Sequence, residues 1–145
     1  MQATKGAWLW KLEALLHSGQ GKRFTAFTGG FEYTFGNVRR SGIDLGLLAE
    51  YLYDERGTGA TPFVDDLFVG ARVALNDIQD TQMLAGTIID RSSQARITRL
   101  EATRRLGDTF KLDVEMLDFA GAKNNDPFYS LRQDDHLRLI LARYF

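Results

Sequence analysis

The twelve residues Ile43-Asp44-Leu45-Gly46-Leu47-Leu48-Ala49-Glu50-Tyr51-Leu52-Tyr53-Asp54 decide the reading of the whole chain. Leu45, Leu47, Ala49, Tyr51 and Tyr53 follow Ile43 at every second position, and Asp44, Gly46, Leu48, Glu50, Leu52 and Asp54 fill the places between. Side chains of a strand point alternately to its two faces, so this period of two describes a strand with one apolar and one mixed side. The same alternation spreads upstream. Ala7 to His17 sets Trp8, Trp10, Leu12, Ala14 and Leu16 against Lys11, Glu13 and His17, and Arg23 to Phe35 sets Phe27, Phe31, Tyr33 and Phe35 against Thr28, Glu32 and Thr34.

Downstream, Leu67, Val69, Ala71, Val73 and Leu75 alternate with Phe68, Gly70, Arg72 and Asn76, and Met83, Ala85, Thr87 and Ile89 with Gln82, Leu84, Gly86 and Asp90. Thr98, Leu100 and Ala102 then oppose Arg99, Glu101, Thr103 and Arg105, while Phe110, Leu112, Val114 and Met116 oppose Lys111, Asp113 and Glu115. A last run sets Leu137, Leu139, Leu141 and Phe145 against His136, Arg138, Ile140 and Tyr144. Eight strands are predicted, with no sustained 3.6-residue period to support a helix. Ser18-Gly19-Gln20-Gly21, Gly36-Asn37, Asn76-Asp77, Ser92-Ser93 and Gly107-Asp108 supply turn chemistry between neighbours, so antiparallel hairpins in sequence order are expected. Arg56 to Asp65 and Gly121 to Asp135 are longer connections. Both fall at the same end, and three tight turns are predicted at the other.

Composition removes several classes of function. The chain has 145 residues, enough for one domain, and 18 Lys plus Arg against 19 Asp plus Glu leave no net field to attract nucleic acid. Without cysteine there is no thiol nucleophile, disulfide or thiolate metal site. Stretches free of charge, such as residues 24–31 and 81–89, are too short for a helix of about 20 apolar residues across a bilayer. Met1 to Gly6 lead into patterned sequence without the apolar segment of a secretory signal. That is expected of a chain kept inside the cell, or of a mature or excised piece.

Which face is inside follows from the mixed row. Among its charges stand Leu9, Leu15, Phe24, Leu48, Leu52, Phe68, Leu84, Ile88, Leu117, Ile140 and Tyr144, a patchwork that a soluble surface avoids, while Gly46, Gly70 and Gly86 make room as in a narrow interior. The apolar row is nearly free of charge at the strand centres, and Trp8, Trp10, Tyr51, Tyr53, Phe110 and Phe145 stand toward its ends like an interfacial girdle. Runs of ten to thirteen residues match the roughly 9–11 tilted residues that cross hydrocarbon. The expected fold is therefore all-β, a single-domain, eight-stranded, antiparallel up-and-down transmembrane barrel needing lipid or detergent. The alternative is a soluble lipocalin-like or calycin-like barrel with the apolar row inside, holding a small apolar ligand.

The chain ends Leu137, Leu139, Leu141, Arg143, Phe145 in alternate positions. This resembles the C-terminal strand of bacterial outer-membrane β-barrels, which closes on a terminal Phe recognised by the barrel-assembly machinery. Arg143 departs from the usual aromatic or apolar residue, though a charge near the interface can snorkel. The segments Gly46 to Asp54, Asp66 to Arg72 and Ala74 to Asp77 resemble an uncharacterised group of proteobacterial outer-membrane proteins with longer chains. This chain would match their C-terminal barrel part. The resemblance implies the fold and an outer-membrane location, with the assembly machinery as partner, and implies no activity.

The interior set expected on the mixed face is Lys11, Arg72, Arg99, Arg105, Lys111 and Arg138 with Glu13, Glu32, Asp44, Glu50, Asp54, Asp90, Glu101, Asp113 and Glu115. Mixed signs imply mutual pairing, and Arg suits an enclosed carboxylate because its fork binds bidentately. The set reads as a polar structural plug, or as a porin-like path if these strands belong to a wider barrel. Catalysis is not expected: His17 and Ser18 are adjacent, so they face opposite ways on a strand, and no Gly-x-Ser-x-Gly elbow exists. The acidic rims Asp54, Glu55, Asp65, Asp66 and Asp126, Asp134, Asp135 offer oxygen ligands of the kind Ca²⁺ takes, but their residue types read first as solvated turns. Gly57-Thr58-Gly59-Ala60-Thr61 lacks the Gly-Lys-Ser/Thr end of a phosphate loop. No cofactor, metal or nucleic acid is expected.

Overall fold

A computed structural model describes residues 1–19, 21–124 and 126–145. Gln20 of the predicted 18–21 turn and Asn125 of the predicted 121–135 connection lie outside the described residues. One antiparallel sheet holds β1 (Gln2–Lys5), β2 (Trp8–His17), β3 (Phe24–Phe35), β4 (Asp44–Asp54), β5 (Asp65–Ala74), β6 (Gln82–Asp90), β7 (Arg96–Leu106), β8 (Phe110–Ala120) and β9 (His136–Arg143), each paired with the next. The described residues contain no α-helix, only single 3₁₀ turns at Val38–Arg40 and Tyr129–Leu131. All eight expected runs are strands, β2 to β9. The ninth, β1, is a correction to the expected count. Gln-Ala-Thr-Lys carries no apolar alternation, and the strand exists because Gly6, at φ +61°, folds it back on Trp8.

Pairing is in register with the faces throughout. The row through Leu9 runs Glu32, Leu48, Gly70, Gly86, Arg99, Leu117 and His136, so the first residue of β9 stands level with the second residue of β2. The strands therefore slip steadily along one another, and the sheet is open, without pairing between β2 and β9 among the described residues.

Connections alternate in length as expected at one end, where residues 55–64 and 121–135 are the longest. The expectation of three tight turns at the other end is corrected. Residues 107–109 form one, but 36–43 and 75–81 are longer because side chains hold their backbones open. Asn37 adopts φ 50° and its N–H donates to the Asp44 carboxylate at 2.8 Å, while Thr81 N–H donates to Asp77 at 2.8 Å.

Almost nothing apolar is buried. Ala95 at 2% exposure and Phe128 at 8% are the buried hydrophobic residues among those described, and both lie in connections, 91–95 and 121–135, rather than in strands. The chain exposes 10163 Å², against roughly 7,500 Å² for a compact monomer of 16.4 kDa. Aromatic rings gather at both ends of the apolar face. At the short-turn end Trp8 stacks on Trp10 at 5.3 Å and meets Tyr33 at 4.6 Å, and Tyr33 meets Phe35 at the same distance. At the long-loop end Phe27 touches Tyr51 at 5.7 Å and Tyr53 at 5.5 Å.

Candidate functional site

The candidate site is the charged face of the sheet, and its order comes from the register. Because pairing preserves face parity, Gly46, Arg72, Leu84, Glu101, Glu115 and Arg138 form one row, with the row from Leu9 to His136 beside it. Charges of opposite sign thus arrive on neighbouring or next-neighbouring strands. Lys11 Nζ reaches Glu50 Oε1 at 3.0 Å across β3, where Gly30 leaves the space: a Cβ there would overlap the Glu50 side chain. Arg72 binds Glu32 across β4, over Gly46, whose missing side chain lets the Glu32 carboxylate lie against the backbone. Arg99 joins Glu101 at 2.5 Å and Glu115 at 3.2 Å, and Arg138 closes on the other oxygen of Glu115. Lys111 and Asp113 pair at 2.9 Å along β8. A groove of about 460 Å³ runs between Arg72, Glu101, Lys111, Asp113, Glu115 and Arg138.

The remaining expected residues do other work. Asp44 accepts from Asn37 N–H and, at 2.9 Å, from the Asn76 amide, so it ties two short-end connections together. Asp90 accepts from Ser92 N–H and Ser93 N–H and caps the 91–95 turn. Asp54 is gripped by Arg56, at 2.5 Å between carboxylate and guanidinium. Glu13 and Arg105 enter no ion pair among the described residues. Arg105 stands opposite Lys111, a like charge.

Burial is distributed against the usual rule. Glu32 is 7% exposed and Asp66 1%, whereas Trp10 is 49% exposed and Leu137 65%. Asp66 was read only as part of an acidic rim because the predicted run began at Leu67; it belongs to β5, pairs in register with Asp90 and Leu52, and neither carboxylate oxygen completes a hydrogen bond. Phe68 was also missed as an organising residue. Its ring lies over Gly70 and Gly86, where a Cβ on either would strike it, so these glycines accommodate one aromatic side chain. The sequence shows Gly70 two residues beyond Phe68 on the same face of β5, but only pairing brings Gly86 of β6 level with it.

At the long-loop end five of the acidic rim residues, Asp54, Glu55, Asp65, Asp126 and Asp135, have protein partners. Asp65 accepts from Tyr51 at 2.7 Å and Arg91 at 2.9 Å, Asp126 from Ser93 Oγ at 2.5 Å, and Asp135 from Phe119 N–H at 2.8 Å. Phe63 and Phe128 meet at 5.6 Å and join the two longest connections. Among the described residues no group of three His, Asp or Glu side chains forms a metal site. His17 stacks on Phe24 at 5.1 Å, and His136 Nδ1 lies 3.0 Å from the Asp134 carbonyl. The C-terminal residues Leu137, Leu139 and Leu141 share the outer apolar row of β9, and Arg143 lies between the Phe110 ring at 5.8 Å and the Phe145 ring at 4.9 Å. Comparison with known protein families, curated proteins and solved structures finds no match.

Proposed function

We propose that this chain builds the wall of a transmembrane β-barrel in a bacterial outer membrane, with its apolar face to lipid and its ion-paired face to a polar interior. It serves as a structural or porin-like protein without catalysis. One observation carries the reading: Glu32 and Asp66 are buried on the charged face, while Trp10, Leu47, Val69, Leu137, Leu139 and Leu141 on the apolar face are exposed. In water that arrangement leaves leucines, valines and tryptophans hydrated for no gain, whereas in hydrocarbon each contributes roughly 25 cal/mol per Å² removed from water. The aromatic clusters at opposite ends of the apolar face fit the two girdles at membrane interfaces.

The slip of the strands supports closure of β2 to β9 as an eight-stranded barrel. With His136 closing on His17, eight residues or about 27 Å beyond Leu9 along β2, the eight inter-strand steps of the closed barrel span about 38 Å. That is a tilt of about 35°, within the range of closed barrels. The end with 36–43, 75–81 and 107–109 then faces the periplasm and the end with 55–64 and 121–135 the exterior, and Leu137, Leu139 and Leu141 of β9, with Phe145 beyond them, are the residues offered to the barrel-assembly machinery. Eight strands enclose a space that side chains fill, which makes the ion-paired set a plug; a wider assembly would make it the lining of a path. Against a soluble barrel for an apolar ligand stands the burial of Glu32 and Asp66 on the charged face.

Refolding tests the reading. The chain should require detergent or lipid vesicles and show heat-modifiable gel mobility. A folded, monodisperse monomer in plain buffer overturns it.

A further inference from the structure

Resting on the barrel reading, we propose that the outer edge of β2 is the seat of β9, with Ala14 opposite Leu139, and that residues 1–3 are displaced from it on closure. Two sheet edges are open among the described residues: at one side β9 along its whole length, and at the other β1 together with the part of β2 beyond Leu12. Unpaired backbone groups cannot stay exposed in hydrocarbon, so both must find partners there.

β1 is a poor final occupant of this edge. Neighbouring strands all run antiparallel, so β1 and β9 point the same way, and an antiparallel ladder can close only between β2 and β9. Four residues do not span a bilayer that needs about nine. Lys5, opposite Trp8, also puts an ammonium on the apolar row. Its hold on β2 reaches Leu12, whose N–H donates to the Met1 carbonyl at 2.8 Å and whose carbonyl accepts from the Met1 ammonium at 2.5 Å.

The register follows from the faces. Apolar residues of β2 are even-numbered and those of β9 odd-numbered, so only even slips keep lipid and interior apart. A slip of eight covers all of β9 with residues 10–17. Leu137 then meets Leu16, Leu139 meets Ala14 and Leu141 meets Leu12, which joins exposed leucines of the apolar row across the two edges. On the inner side Glu13 lies diagonally beside Arg138, which gives that carboxylate a cation and lets Arg138 bridge Glu13 and Glu115 as Arg99 bridges Glu101 and Glu115.

The absence of native cysteine makes the test direct. Ala14→Cys/Leu139→Cys, folded into phosphatidylcholine vesicles and oxidised, should form an intramolecular disulfide in most of the folded material, since directly opposed Cα atoms are about 4.5–5.5 Å apart. Leu16→Cys/Leu139→Cys, two residues out of register, should cross-link at least fivefold less. A disulfide dimer overturns the proposal in favour of a second copy at the edge, and preference for the Leu16 pair overturns the register. Absence of either cross-link in heat-modifiable, lipid-folded protein overturns β2–β9 closure while leaving the barrel reading intact; wild-type protein that never enters lipid overturns that reading itself. Should the first variant misfold, Ala3→Cys/Trp10→Cys locks β1 in place, since these two residues are paired in the open sheet. Its oxidised form should fold into vesicles at least tenfold less than its reduced form, and equal yields overturn the displacement.

Discussion

Val69 and Phe68 are adjacent in β5, yet they live in different chemistry. Val69 stands in the row of Trp10, Phe31 and Ala49 on the open apolar face, and Phe68 lies over two glycines on the charged face, one row from the Arg72–Glu32 pair. The contrast teaches that burial and polarity part company at these positions: Val69 is 38% exposed, while Glu32 and Asp66 on the charged face are buried. On the barrel reading proposed above, Val69 meets hydrocarbon and Glu32 a polar interior.

The largest expected effect breaks the apolar side. Val69→Arg should abolish or cripple folding into vesicles, at a cost of roughly 2–4 kcal/mol for a cation at mid-bilayer. Glu50→Gln, on the other face of the neighbouring strand, should leave folding nearly intact. Urea titration of both variants in lipid measures the gap, and equal tolerance would dissolve the distinction between the faces. The next effect tests crowding on the inner side. Gly86→Ala should destabilise by about 1–3 kcal/mol because its Cβ meets the Phe68 ring. Adding Phe68→Ala should recover part of that loss, whereas a face with open space would show no such rescue.

Smaller still is the pairing itself. Arg72→Met leaves the buried Glu32 carboxylate without its cation, but water reaches the guanidinium site, so a loss of about 1 kcal/mol is expected. The double variant Arg72→Met/Glu32→Leu should be closer to wild type than the sum of the single changes, and strict additivity in the cycle would show that the pair is not coupled. The smallest effect lies outside the strands, at the 75–81 connection. Thr81 N–H, with the Thr81 hydroxyl and Arg104 in support, holds the Asp77 carboxyl below the usual carboxylate range. A depressed value in the folded state means that this contribution is complete above the unfolded value of about 4 and fades as pH falls through the lower folded one. Amide protection factors in residues 75–81 should be flat from pH 7 to 5 and drop in stronger acid, and Asp77→Asn should remove that dependence.

How much could be read beforehand differs by residue. Leu45 to Tyr53 declared their strand because alternation is a local property, and the sign of each ionisable side chain on the mixed face was equally local. Which carboxylate meets which guanidinium was not, since Glu32 and Arg72 are forty residues apart and meet only because β4 intervenes with Gly46 between them. The connections 36–43 and 75–81 were underestimated for a related reason. Asn37 and Asp77 look like tight-turn residues in isolation, but their geometry depends on Asp44 and Thr81 farther along. β1 left no trace in the pattern because an edge strand of four residues takes its order from its neighbour.

The sequence by itself determined that this chain is a series of two-faced strands joined in order, because side-chain parity along a strand is fixed by backbone geometry. Tertiary structure alone decided the register, and with it the ion pairs and the ring over the two glycines. Those depend on how far each strand slides against the next, a displacement that no single strand encodes and that the connections and facing side chains settle together.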